Sequence, residues 1–217
     1  MVDIPNEDLP SLATGTLNFS LEWLQSNIFS NIPTAQVKYI AVGNEVFLKD
    51  PFYTPYVVRA MMNLYQALQM LNLVPSIKLS SPQAASVLSL SYPPSSAAFD
   101  PYLHSVMIPL MEFLHDTGSP FMREGFQGMK IVVSETGWAT GGGEAASVAN
   151  AMAYTDNVVR RVANYVGTPR QPNEEMEVYL FDDLFDENEK NGEEFTSNIF
   201  IGYSHNYMVI YEFNYLR

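Results

Sequence analysis

The sequence predicts a single α/β domain in which parallel strands alternate with helices. Short runs of β-branched and aliphatic residues alternate along the chain with longer stretches in which apolar residues recur every three or four positions. The predicted strands are apolar on both sides, as expected of a parallel sheet with both faces covered. With 217 residues, the chain is long enough for one domain with a substantial core and too short for two large ones.

Four segments are predicted to be strands. Val37–Val42 and Lys130–Ser134 are β-branched runs, and the second is the clearest strand in the chain. Ile77–Ser80 begins shortly after Pro75, and Met176–Phe185 follows the last predicted helix. These strands and the intervening helices form βαβ units.

Four helices are predicted between and around these strands. They are Phe19–Ile32, a helix that begins at Thr54 and Pro55, Tyr102–His115 and Ala146–Val162. Thr54 is a good cap, and Pro55 suits the first helical position. The helix after it carries one apolar stripe, formed by Val57, Met61, Leu64, Leu68 and Leu71.

Charge and composition exclude several classes of function. The formal charge is -13, from 24 acidic and 11 basic residues. It would repel phosphate backbones and anionic lipid, so nucleic acid is not an expected partner. No run of eighteen apolar residues predicts a membrane span. The first ten residues include Asp3, Glu7 and Asp8 and lack an apolar stretch, so no secretion signal is predicted.

Two predicted strands lead into a glutamate flanked by small or polar residues. Glu45 follows Gly43 and Asn44, and Glu135 lies between Ser134 and Thr136. Because such strand ends face the catalytic rim of a parallel barrel, we expect the two carboxyl groups to lie close together. A retaining glycosidase uses two carboxyl groups about 5 Å apart, one as acid and one as nucleophile. The sequence therefore predicts Glu45 as acid/base and Glu135 as nucleophile, although a lone strand-end glutamate is usually only a solvated residue.

Five stretches follow the pattern of one known family. They are Val2–Leu12 (VDIPNEDLPSL), Val37–Val46 (VKYIAVGNEV), Ile77–Pro82 (IKLSSP), Ile131–Trp138 (IVVSETGW) and Phe185–Lys190 (FDENEK). In these stretches the chain resembles the plant β-1,3-glucan endohydrolases of glycoside hydrolase family 17. The resemblance covers most of the chain before Gly192.

The resemblance implies a (β/α)8 barrel that hydrolyses β-1,3-glucan of the cell wall without a metal or organic cofactor. It implies the same roles for the two glutamates and a secreted, cell-wall or extracellular location. It also places Glu187 and Lys190 in the substrate cleft, where the family usually reads FNENQK. Asn44 and Trp138 are further substrate-binding candidates, although Trp138 could equally fill a core.

Only part of the barrel is expected, because only about four of its eight strands can be recognised. The resemblance begins near the end of the third strand, and an internal gap is predicted between Met122 and Arg123. The tail from Ser197 to Arg217 departs from the family. Residues 1–217 are therefore predicted to form a single, partial catalytic domain.

Two alternatives and one excluded site complete the sequence-based prediction. The chain could be a glucan-binding module without turnover, or a non-functional fragment, because removing strands from a barrel leaves unpaired edges. A calcium loop that starts at Asp186 is rejected, since Lys190 would occupy its fifth position. The histidines show no ligand spacing, so no metal site is predicted.

Overall fold

The structure is a computed structural model. It describes residues 1–90, 96, 98–122, 130–140, 144–168, 172–173, 175–182, 198–204 and 207–213. The chain divides into two compact units, Met1–Ile131 and Val132–Arg217. Among the described residues, no helix is long and apolar enough to cross a membrane.

A parallel three-stranded sheet organises the first unit. Its strands are β1 (Val2–Ile4), β2 (Tyr39–Val42) and β3 (Lys78–Ser80), in the order β1-β2-β3. Ile4 lies opposite Val42, and Ala41 lies opposite Ser80. The predicted parallel pairing and two of the predicted strands are confirmed for this unit, whereas β1 is not among the predicted elements. It has only three residues before Pro5, too few for a periodic signal.

Among the described residues of this unit, five α-helices and one β-hairpin accompany this sheet. The helices are α1 (Leu9–Thr14), α2 (Leu17–Leu24), α3 (Val46–Lys49), α4 (Val57–Met70) and α5 (His104–Thr117). The hairpin pairs β4 (Leu88–Leu90) with β5 (Ala98–Phe99) in antiparallel orientation. A π-helical turn, Gln25–Phe29, continues α2, and Thr16 caps α2 by accepting a hydrogen bond from the Phe19 amide.

The start of α4 differs from the prediction. Thr54 and Pro55 lie in a 3-10 turn, Pro51–Tyr56, and the α-helix begins at Val57. The Thr54 hydroxyl is buried without a hydrogen-bond partner, so it caps nothing. Pro51 already provides a proline at the first position of a helical turn, and the chain therefore turns earlier than the motif suggests.

The core of the first unit lies between the sheet and the helices. Ile40 and Leu79 are buried there together with the predicted stripe of α4, except for Leu71, which caps the helix and is half-buried. Two polar side chains of α4 also fix α1, because Arg59 donates to the Ala13 carbonyl and Asn63 donates to the Leu12 and Ala13 carbonyls. These bonds satisfy carbonyls at the end of α1 that have no partner within the helix.

The second unit contains a parallel pair of strands and an antiparallel hairpin. Its elements are β6 (Val132–Thr136), α6 (Val148–Ala163), β7 (Glu177–Asp182), β8 (Asn198–Ser204) and β9 (Tyr207–Phe213). β6 and β7 are parallel, while β7-β8-β9 are antiparallel. β6 begins and ends two residues later than predicted, and its end at Thr136 places Glu135 within the strand instead of after it. The hairpin β8–β9 is not among the predicted elements, although both of its strands are rich in β-branched and aromatic residues, which favour strands.

Truncation of Leu64 tests the packing of α4. Leu64 is fully buried, whereas Met62 on the same helix is 50% exposed. We expect Leu64→Ala to lower the free energy of unfolding by about 2–5 kcal/mol and Met62→Ala to change it by less than about 0.5 kcal/mol. Urea denaturation of the two variants measures both values, and equal losses would contradict this packing.

Candidate functional site

The turn after β2 is held by both neighbouring strands. The Gly43 amide donates to the Ile4 carbonyl at the end of β1, with an N···O distance of 3.1 Å. The Glu45 amide donates to the Pro82 carbonyl, two residues beyond the end of β3, at 2.9 Å. The main chain that carries Glu45 is therefore bonded on each side.

The carboxamide of Asn6 binds the same turn from the end of β1. Its Oδ1 accepts a hydrogen bond from the Asn44 amide at 2.9 Å, and its Nδ2 donates to the Asn44 carbonyl at 3.2 Å. Nδ2 also lies 2.9 Å from Oδ2 of Asp50, which accepts a second hydrogen bond from it. One side chain thus joins the turn to the segment that follows α3.

Glu45 adopts a backbone conformation that is uncommon for a residue with a Cβ atom. Its φ and ψ are 49° and 31°, in the left-handed region. This conformation costs roughly 1–2 kcal/mol, and a net hydrogen bond contributes about 0.5–1.5 kcal/mol. The bonds at Gly43, Asn44 and Glu45 are therefore sufficient to offset the strain, and strained residues of this kind are concentrated at functional sites.

The side chain of Glu45 remains accessible to solvent. It is 35% exposed, and Oε2 lies 3.5 Å from Nζ of Lys49, which is 70% exposed. Exposed ion pairs of this kind contribute about 0–1 kcal/mol. The Glu45 carboxylate can therefore exchange this contact for a substrate at little cost.

Gln83 supports the start of α3, directly after Glu45. It is only 7% exposed; its Oε1 accepts from the Phe47 amide at 3.4 Å, and its Nε2 donates to Oγ of Ser81 at 2.9 Å. Phe47 is in the first turn of α3, where amides have no partner within the helix. The loop after β3 therefore helps to position the helix that follows Glu45.

Glu135 lies at an irregularity of its strand. Val133 pairs with Val178 and Thr136 pairs with Leu180, so two residues of β6 oppose the single residue Tyr179 of β7. Such a β-bulge redirects a side chain and often occurs beside active sites. Glu135 is an exposed residue within the bulge.

Trp138 lies at the surface of the second unit and is held there by specific contacts. It is 45% exposed, so it is not a core residue. Its ring centroid is 5.7 Å from that of Tyr154, and its Nε1 donates to the Ala145 carbonyl at 3.0 Å. The Tyr154 hydroxyl is hydrogen-bonded to Thr136. An exposed, oriented aromatic ring of this kind offers a face for stacking.

The remaining predicted residues fall into two groups. Glu187 and Lys190 lie outside the described residues. Asn44 is half-buried and lies next to Glu45, with its main chain bonded to Asn6. In the part of the chain that the structure describes, no group of three or more histidine, aspartate or glutamate side chains could hold a metal ion.

Sequence reasoning missed three residues that build these positions. Asn6 and Gln83 lie just after strands, as Glu45 does, but neither is a carboxylate, so a search for acidic residues at strand ends passes over them. Tyr154 gives no such signal. It contacts Trp138 and Thr136 only because α6 packs beside the end of β6.

Comparisons with known proteins show to which class of protein this chain belongs. The family described as Glycosyl hydrolases family 17 matches residues 1–125 and 122–215. A glucan endo-1,3-beta-glucosidase of Nicotiana tabacum is 31% identical to this chain, and the match covers 89% of this chain and 68% of that protein. A glucan endo-1,3-beta-glucosidase of Vitis vinifera is 32% identical, and the match covers 88% of this chain and 70% of that protein. The solved structure of CJP38, a beta-1,3-glucanase and allergen of Cryptomeria japonica pollen, has a TM-score of 0.76 at 27% identity, covering 82% of this chain and 72% of that one.

These matches are to glycosidases, and the chain belongs to glycosyl hydrolases family 17. The solved relatives confirm the predicted fold class, a (β/α)8 barrel of which only part is present. The alignment to the tobacco enzyme runs over 243 positions although the chain has 217 residues, so that enzyme contains segments that this chain lacks. The two family matches overlap at residues 122–125, where the internal gap is predicted.

Adding a methyl group at Gly43 tests the packing of the turn. A Cβ atom there would lie 2.7 Å from Cγ2 of Val46 and 2.8 Å from Oδ1 of Asn6, at a φ of +69°. We expect Gly43→Ala to lower the free energy of unfolding by about 1–2 kcal/mol for the backbone and by a further 1–3 kcal/mol, roughly, for the overlap.

Gly118 provides the matched control for this substitution. Its φ is +59°, and a Cβ atom would come only within 3.9 Å of Nζ of Lys78. Gly118→Ala should therefore show the backbone cost alone. Equal losses at Gly43 and Gly118 in urea denaturation would mean that the turn is not tightly packed.

Proposed function

We propose that the chain is a retaining endo-β-1,3-glucanase, with Glu45 as acid/base and Glu135 as nucleophile. The proposal depends on one observation. This chain of the family has both glutamates of the GNEV and VSETGW motifs, and each lies near the end of a strand where the backbone is irregular. Glu45 itself has a left-handed backbone within a hydrogen-bonded turn, and Glu135 lies in a β-bulge. Cell-wall glucan is the proposed substrate, and the cell wall or extracellular space is the proposed location.

The reaction proceeds in two balanced steps. The Glu135 carboxylate attacks the anomeric carbon while the Glu45 carboxylic acid gives its proton to the departing glucosidic oxygen, which forms a glycosyl ester and releases one end of the glucan. The Glu45 carboxylate then takes a proton from water, whose oxygen displaces Glu135 from the sugar. Both glutamates return to their starting forms, and no cofactor enters the balance. The mechanism requires the two carboxyl groups to lie roughly 5–5.5 Å apart.

Four other residues are proposed to bind the substrate: Asn44, Trp138, Glu187 and Lys190. Trp138 has the clearest physical argument, because its exposed ring can stack on the apolar face of a glucosyl unit. The negative charge of the chain neither attracts nor repels a neutral polysaccharide. The candidate site therefore depends on hydrogen bonds and stacking for affinity.

Substitution of the two glutamates tests the proposed catalytic roles. Purified chain is incubated with a linear β-1,3-glucan, and new reducing ends are counted. We expect Glu45→Gln to lower the rate by roughly two to four orders of magnitude and Glu135→Gln to abolish it. Glu112→Gln, at an exposed position of α5, is the matched control and should retain the wild-type rate.

The same assay separates the alternatives. Equal product from wild type and Glu135→Gln would remove the assigned nucleophile. Glucan binding without release would favour a binding module, and failure to obtain a folded chain would favour a fragment that needs the missing strands.

Removal of the Trp138 ring tests the proposed stacking. We expect Trp138→Ala to weaken binding of a β-1,3-linked hexasaccharide by roughly two- to tenfold, which corresponds to about 0.5–1.5 kcal/mol. Trp138→Phe keeps an aromatic face and should lose less. Tyr102→Ala removes a ring that is 93% exposed in the first unit and serves as the control in isothermal titration calorimetry. Unchanged affinity in Trp138→Ala would assign the ring a structural role.

A further inference from the structure

We propose that Asn6 is a positioning residue for Glu45, because its carboxamide holds the turn from which the candidate acid/base projects. The assignment rests on the proposed function. Asn6 itself is not placed in contact with substrate. It acts on the main chain that precedes Glu45, across a separation of 38 residues in sequence between Asn6 and Asn44.

The peptide unit between Asn44 and Glu45 is held at both of its polar groups. Its carbonyl accepts from Nδ2 of Asn6 at 3.2 Å, and its amide donates to the Pro82 carbonyl at 2.9 Å. The preceding peptide unit is also held, because its amide donates to Oδ1 of Asn6. Two successive peptide planes are therefore fixed, and they determine the position of the Cα atom from which the Glu45 side chain projects.

Asp50 determines the orientation of the Asn6 carboxamide. An ionised carboxylate only accepts hydrogen bonds, so the group of Asn6 that lies 2.9 Å from Oδ2 of Asp50 must be the amide nitrogen. Oδ1 is then left for the Asn44 amide. In the opposite orientation the carboxamide oxygen of Asn6 would face Oδ2 of Asp50, which is also an acceptor, and the carboxamide nitrogen would face the Asn44 amide, which is also a donor.

An asparagine is the side chain that suits this position. Its carboxamide carries one acceptor and one donor group on the same plane, which matches the amide and the carbonyl of a single residue. Aspartate would accept from the Asn44 amide, but it would face the Asn44 carbonyl and the Asp50 carboxylate with lone pairs. Alanine would leave both main-chain groups of Asn44 without this partner.

Two substrates distinguish a positioning role from a merely structural one. A linear β-1,3-glucan needs a proton on its leaving oxygen, whereas a 2,4-dinitrophenyl β-laminaribioside releases a stable phenolate without one. Because kcat/KM reports the steps up to formation of the glycosyl ester, a displaced acid lowers kcat/KM for the glucan and spares it for the aryl glycoside. Deglycosylation still needs Glu45 as base, so kcat and KM of the aryl glycoside fall together.

The positioning role is tested by comparing Asn6→Ala and Asn6→Asp with Asn63→Ala. Asn63 is a matched control, since its Nδ2 also donates to main-chain carbonyls, those of Leu12 and Ala13, away from Glu45. We expect both Asn6 variants to lose about tenfold or more of kcat/KM on the glucan, with kcat/KM on the aryl glycoside within about threefold of wild type. Asn63→Ala should treat the two substrates alike. The two Asn6 variants remove different parts of the contact, so either one that folds provides the test.

The outcomes separate this inference from the function on which it rests. If wild type is active and the Asn6 variants lose activity equally on both substrates, or lose no more than Asn63→Ala does, the positioning role is overturned and the proposed function stands. If wild type hydrolyses neither substrate, the proposed function is overturned and the positioning role with it. Selective loss on the glucan supports the assignment.

Discussion

The parallel pairing of β2 with a strand on each side is the constraint on which the first unit depends. It brings the ends of β1, β2 and β3 to one edge of the sheet, so that residues distant in sequence can bond to the same turn. The Gly43 amide reaches the end of β1, and the Glu45 amide reaches the loop after β3. Packing of the apolar residues of the sheet against the apolar stripe of α4 maintains this pairing. The hydrogen bonds at the edge of the sheet therefore have only to fix the conformation of the turn that carries Glu45.

Both candidate catalytic glutamates lie where regular structure is interrupted. Glu45 has a left-handed backbone, and Glu135 belongs to a β-bulge. Each irregularity gives up some local stability in exchange for a side-chain direction that a regular strand would not provide. In the first unit the compensating contacts are visible: Gly43 has the conformation that its neighbours require without a clashing Cβ atom, and Asn6 occupies the space beside it.

Most elements that a local sequence pattern controls were predictable, β8 and β9 being the exceptions, and those that depend on distant contacts were not. The stripe of α4 has a clear helical period, and β2 is a β-branched run that ends in a conspicuous polar motif. The predicted start of α4 was wrong because Pro51, and not Pro55, occupies the first position of a helical turn. β6 was predicted to end two residues early because Glu135 has a weak strand preference, whereas the strand continues to Thr136, which pairs with Leu180 of β7.

The candidate site likewise contains residues that the local sequence reveals and residues that only distant contacts reveal. Glu45, Asn44 and Glu135 are visible in the sequence because each follows or ends an apolar run. The role of Asn6 is not visible there, since it arises from three hydrogen bonds to residues at least 38 positions away. Gln83 and Tyr154 likewise acquire their contacts from tertiary packing.

Trapping of the covalent glycosyl-enzyme intermediate shows directly whether Glu135 is the nucleophile. The chain is incubated with 2-deoxy-2-fluoro-β-laminaribiosyl fluoride, whose fluorine at C2 slows hydrolysis of the glycosyl ester, and the digested protein is examined by mass spectrometry. We expect one disaccharide to be attached to the peptide that contains Glu135, and none to be attached to the Glu135→Gln variant. Label on another carboxylate, or steady turnover of glucan by a chain that is never labelled, would contradict it.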